Sequence, residues 1–251
     1  MERNFNMEKK EMIRRNPLKM MGYPSEDVLP EGGFGALMAR AGVGKTAFLV
    51  QIAIDKLLRD KNVLHISIDE PVEKVCLWYE QVFRSIAGGN SIKHLDPFWE
   101  VILPKRFIMT FKVDGFSVPK LEERITDLSE QGIFFPQMIL IDGLPFEELG
   151  RKTFVDLKSV ARNLGVGVWF TVKTHRHEAP SPGGIPIPLA NIEDLFDVVI
   201  ELQPDGKEIY VRAIKGGPPE TDVKELALDP STMMIKEAGG DSLCGSDRKA
   251  Q

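Results

Sequence analysis

Very little in this sequence points to an extracellular or membrane-bound protein. Two cysteines in 251 residues, Cys76 and Cys244, are too few for a disulfide framework. One falls in an expected helix and the other in a polar tail, so both read as reduced thiols. No apolar run approaches the ~18 residues that cross a bilayer. The N-terminal MERNFNMEKKEMIRR is charged throughout and has no apolar stretch of a secretory signal. An excess of positive charge is also missing, with 32 Lys+Arg against 37 Asp+Glu and a net of -5. That excludes a generic polyanion binder held by bulk charge, while leaving room for a local basic site. Aromatics are modest at 8% and no internal repeat is visible. What remains is ordinary globular usage, 43% hydrophobic and 27% charged, enough to bury a sizeable core. These absences lead to the expectation of a cytoplasmic protein.

Apolar runs of five to seven residues alternate with helical patterns. GALMA (35–39), VLHISI (63–68), RFIMTF (106–111), QMILID (137–142) and VGVWFTV (166–172) read as strands. The segments 45–60, 71–88, 118–132 and 154–165 read as helices, two of them stopping on Gly132 and Gly165. DVVIELQ, PDGK and EIYVRAIK read as a hairpin with its turn at 204–207, and 225–236 adds a further strand or two. The stretch 89–105 is irregular. The pattern predicts an α/β domain over 21–238, with a mainly parallel sheet, helices on both faces and late antiparallel strands. A polar, partly helical arm (1–20) precedes it and a frayed tail (239–251) follows.

The strongest motif is Ala39-Arg40-Ala41-Gly42-Val43-Gly44-Lys45-Thr46, which has the spacing of a phosphate-binding loop with Ala in place of the commonest first Gly. Gly42 and Gly44 let the backbone curl until several N–H groups face one concavity, and the following helix adds its positive end. Residues Ala41 to Ala47 are therefore the candidate cradle. Lys45 would meet the β- and γ-phosphates, and Thr46 would offer a hydroxyl to Mg²⁺. Asp142 closes an apolar strand where open α/β sheets bind ligands, so it is the candidate second holder of Mg²⁺, or a cap on the turn at Gly143. Gly143, not Glu, follows it, so a base must come from elsewhere. Glu70, with Asp69 second, ends the strand after the loop helix and could orient a water. Glu70-Pro71-Val72-Glu73 also reads as a helix start with acids at the positive end.

Together, ARAGVGKT, the acidic pair of ISIDEP, MILIDG, WFTVKTHR and IYVRAIKGG resemble the RecA-like P-loop ATPases, especially the KaiC-like and RadA/DnaB-like branch, in order and across residues 33–217. The resemblance implies a hexameric or filamentous ATPase using ATP and Mg²⁺ at subunit interfaces. It also implies a basic residue of the neighbour's late hairpin completing the site. Arg212 and Lys215 match that role, or are solvated charges guarding an edge strand. In the family a polar residue, often Gln, ends the sensor strand; here Lys173 lies nearest that position. Gly143 stands where Ser is frequent.

Other signals are weaker. His175 and His177 lack further ligands for a metal. The Pro/Gly-rich 177–190 loop has no basic residue after Arg176, which disfavours nucleic acid and leaves Ile185 and Ile187 to touch a protein partner or to fold back on the core. Trp78, Tyr79 and Phe83 read as core or subunit contacts rather than a base-stacking platform. Lys9, Lys10, Arg14 and Arg15 read as a solvated helix face. Two rival functions remain: a nucleotide-binding regulatory or scaffold protein with little turnover, and a small-molecule phosphotransferase, for which the Arg-rich lid is missing.

Overall fold

A computed structural model describes residues 2–24, 27–88, 95–174, 186–218 and 225–238. Six strands run parallel: β1 (Phe34–Ala39), β2 (Val63–Ile68), β3 (Arg106–Phe111), β4 (Met138–Asp142), β5 (Gly167–Lys173) and β6 (Val198–Asp205). Three more, β7 (Glu208–Lys215), β8 (Leu226–Leu228) and β9 (Ile235–Glu237), continue the sheet antiparallel. The order is β3-β2-β4-β5-β1-β6-β7-β8-β9. The mixed, mostly parallel sheet expected from the apolar runs is present. The β6–β7 turn is tighter than expected, because Asp205 already pairs with Glu208.

The helices are α1 (Glu2–Arg14), α2 (Pro17–Met20), α3 (Lys45–Leu58), α4 (Val72–Ile86), α5 (Leu95–Ile102), α6 (Val118–Glu130) and α7 (Arg151–Leu164). Period-two alternation in the strands divides the core between two faces. Leu37, Leu140 and Trp169 pack with α3, α4 and α5 on one face. Phe34, Ile66, Ile139 and Phe170 pack with α6 and α7 on the other. Helices thus cover both faces. The segment expected to be irregular contains α5; Pro97 near its start and the polar run before it hide the helix in the sequence.

α3 explains how residues 1–20 are arranged. From Ala47 to Leu58 every residue of α3 is buried, including Gln51, Asp55 and Lys56. A helix apolar nearly all round must be covered on all sides. α1 and α2 contribute to that cover, burying Met12 and Leu18 in the same core. Lys9 donates to Asp60 at 2.9 Å, and Arg15 to the Ile86 carbonyl at 2.7 Å. Two of the four basic residues read as a solvated face are therefore tied to the body of the fold. Among the described residues, no helix is long and apolar enough to cross a membrane.

Candidate functional site

The loop between β1 and α3 leaves the carboxyl end of the sheet near its middle. Gly42 and Gly44 take φ values of +77° and +106°, which L side chains rarely adopt. Gly44 caps α3 without any side-chain hydrogen bond, and no acidic residue lies in the first turn. The first N–H groups of a helix have no acceptor within it, and its positive end favours anions. Here that end carries a cation instead, Lys45. Positive charge on a positive helix end is unfavourable unless an anion joins it.

Lys45 spans the mouth of the loop, donating from Nζ to the carbonyls of Ala39 (2.9 Å) and Arg40 (2.8 Å). Burial pushes its ammonium down to about 8; the Asp142 carboxylate works against that shift, and Lys173 reinforces it. Of the remaining cradle residues, Ala41 is exposed at the crest, Val43 turns into the core, and Thr46 and Ala47 line the cleft.

β5 separates β1 from β4, and on the α3 face it brings a residue the sequence reading did not select. Asp142 accepts from the Thr46 hydroxyl at Oδ2 (2.8 Å) and from the Thr171 hydroxyl at Oδ1 (2.5 Å). Thr171 is 3% exposed and accepts from the Gly143 N–H at 3.0 Å. Gly143 sits at φ +87°, and a Cβ there would lie 2.9 Å from the Ile68 carbonyl oxygen. That close approach accounts for glycine at this position. The only sign of Thr171 in the sequence was a hydroxyl inside an otherwise apolar strand, which reads equally well as β propensity.

Gly42, Gly44, Lys45, Thr46, Glu70 and Asp142 line one cleft of about 200 Å³, completed by Lys74, Val75 and Trp78 of α4 and by Met233. Met233 belongs to the β8–β9 turn. Gln51 of α3 holds its carbonyl at 2.7 Å, and its sulfur would lie 3.1 Å from a Cβ on Gly44. Neither Met233 nor Lys74 was legible as a site residue.

The two acids of ISIDEP part company. Glu70 faces the cleft, its carboxylate taking a 2.6 Å bond from Lys74. Asp69, at φ +66°, turns away to accept from the Val113 N–H at 3.2 Å and lines a separate cavity with Asp114, Phe116 and Glu148. Further back in β2, His65 lies 3.1 Å from the Tyr79 hydroxyl, tying the strand to α4. Burial pushes His65 down to about 4, against the pull of Asp142.

Lys173 ends β5 exposed and outside the cleft lining. Arg212 lies on β7 beside Gln203 (3.4 Å) and Glu225 (3.8 Å), while Lys215 donates to the Glu193 carbonyl at 2.7 Å. Neither reaches the cleft of its own chain. His175 and His177 fall outside the described residues, as does most of the 177–190 loop; at its described end Leu189 is buried and Ile187 half exposed. Among the described residues no cluster of three or more His, Cys, Asp or Glu could hold a metal alone. The Thr46 hydroxyl and Asp142 carboxylate form an oxygen-only pair. Such a pair suits Mg²⁺ completed by substrate phosphates rather than a soft metal held by protein alone.

No protein-family model matches the chain, and no curated protein matches it.

Proposed function

We propose that this protein is a RecA-like P-loop ATPase that binds ATP with Mg²⁺ and hydrolyses it slowly, in an assembly that shares its sites between subunits. One observation carries the reading: an uncapped helix end, a half-buried lysine, the Thr46 hydroxyl and the Asp142 carboxylate converge on one cleft. The loop and helix N–H groups would hold the β-phosphate, and Lys45 would neutralise the β- and γ-oxygens. Thr46 and Asp142 would hold Mg²⁺, which supplies further charge neutralisation to the phosphates. Glu70, which lines the same cleft, would orient water toward the γ-phosphate.

The cleft, about 200 Å³, is smaller than the ~300–1,000 Å³ that encloses a whole small ligand. Among the described residues that volume suits a phosphate tail better than a whole nucleotide, and a second subunit would then complete the site around the nucleoside. Arg212, with its exposed side chain, remains the candidate for a contribution from a neighbour.

The state of the base favours a second reading, a nucleotide-dependent regulatory or scaffold protein with little turnover. Glu70 is engaged by Lys74, and Asp69 faces another cavity. Phosphate release at several protein concentrations separates the two. The ATPase reading expects Mg²⁺-dependent release, rising per subunit with concentration and falling at least ~100-fold in Lys45→Ala. Tight ATP binding with no release over hours would establish the scaffold.

A further inference from the structure

We propose that Thr171 is a positioning residue that sets the magnesium affinity of this site by fixing the orientation of Asp142. The inference rests on the nucleotide reading above and concerns a side chain to which that reading gives no role.

The hydrogen-bond directions are forced. A backbone N–H can only donate, so the Thr171 oxygen accepts from Gly143. A threonine hydroxyl has one proton, and that proton is left for Asp142 Oδ1, 2.5 Å away. The Thr46 hydroxyl donates to the other oxygen. The carboxylate is therefore gripped at both oxygens, by one group inside the cleft and one beneath it. Thr46 can keep its proton on Asp142 and still turn an oxygen lone pair toward a cation. Thr171 lies on the inserted strand, 3% exposed, and acts only through Asp142.

The backbone enforces the same arrangement. At φ +87° Gly143 directs its N–H back at Thr171, and the Ile68 carbonyl leaves no room for a Cβ. The Gly143–Thr171–Asp142 chain thus links the turn after β4, the middle of β5 and the metal-facing carboxylate. Groups that orient a metal ligand from behind typically control ~10–100-fold of metal affinity.

The test is a magnesium titration of ATP affinity, read by calorimetry and independent of turnover. Thr171→Val keeps the shape and deletes the hydroxyl; it should raise the half-saturating Mg²⁺ concentration ~10-fold or more. ATP binding in excess EDTA should stay within about twofold of wild type, because Lys45 and the loop are untouched. Thr171→Ser, which keeps the hydroxyl and also serves if the valine variant does not fold, should stay within about twofold of the wild-type midpoint. In an Asp142→Asn background, Thr171→Val should add nothing further. An unchanged midpoint in Thr171→Val, or an equal rise in the serine variant, overturns the proposal while leaving nucleotide binding intact. Failure of the wild type to bind ATP at all would instead overturn the nucleotide reading, and this inference with it.

Discussion

The two sides of the cleft are built differently. On the β1–β4–β5 side, each polar group is engaged with another group of the same site: Lys45 with the loop carbonyls, and Thr46 and Thr171 with Asp142. On the α4 side, Glu70 and Lys74 form an ordinary i,i+4 ion pair, each side chain about half exposed. An exposed pair of this kind contributes ~0–1 kcal/mol and exchanges partners readily. One wall is preorganised and the other adaptable. Binding should therefore depend on the first wall and turnover on the second, so variants on the two sides should separate affinity from rate.

The largest effect on affinity is expected from the turn that shapes the preorganised wall. Gly44→Ala places a Cβ at φ +106° and 2.9 Å from Leu228 Cδ2. The leucine tip can give way, but the backbone cannot; strain of ~1–3 kcal/mol, or a distorted loop, should lower ATP affinity ~5- to 150-fold, measured by calorimetry. On the adaptable wall, Glu70→Gln should lower turnover ~10²-fold while ATP affinity stays within about twofold. Full turnover in that variant would remove Glu70 as the base and the contrast with it.

A third experiment tests the electrostatics of the first wall. Lys45 releases its proton near pH 8 in the free protein because burial disfavours its charge. A bound polyphosphate favours the charge and raises that value, so binding takes up a proton above pH 8. Affinity should be independent of pH below about pH 8, where Lys45 is charged, and then fall as pH rises, by up to tenfold per unit. Lys45→Arg, which stays charged, should flatten that fall. The smallest effect is expected at Arg212. Arg212→Ala should leave affinity unchanged and lower turnover only at concentrations where the protein associates, since its side chain does not reach the cleft of its own chain.

The same contrast explains what the sequence could reveal. The strands were legible because runs of five to seven mostly apolar residues leave little choice, and the loop because glycine spacing and a helix start are local features. Asp142 was legible as the end of such a run. The sequence ranks Glu70 ahead of Asp69, but it does not show that a single left-handed residue sends these neighbours in the chain to different cavities. Thr171 and Met233 enter the site through strand order and a distant turn, which no local pattern encodes. The helical arm looked solvated because its charges are evident, while the apolar surface it covers lies on α3, some forty residues away.

Calorimetric titration of the wild-type protein with ATP and ADP, each with and without magnesium at pH 7, tests the central claim most directly. The convergence of loop, lysine and threonine–aspartate pair predicts saturable binding of both nucleotides, tightened by magnesium for ATP. The absence of saturable heat with either nucleotide in the presence of magnesium would contradict it.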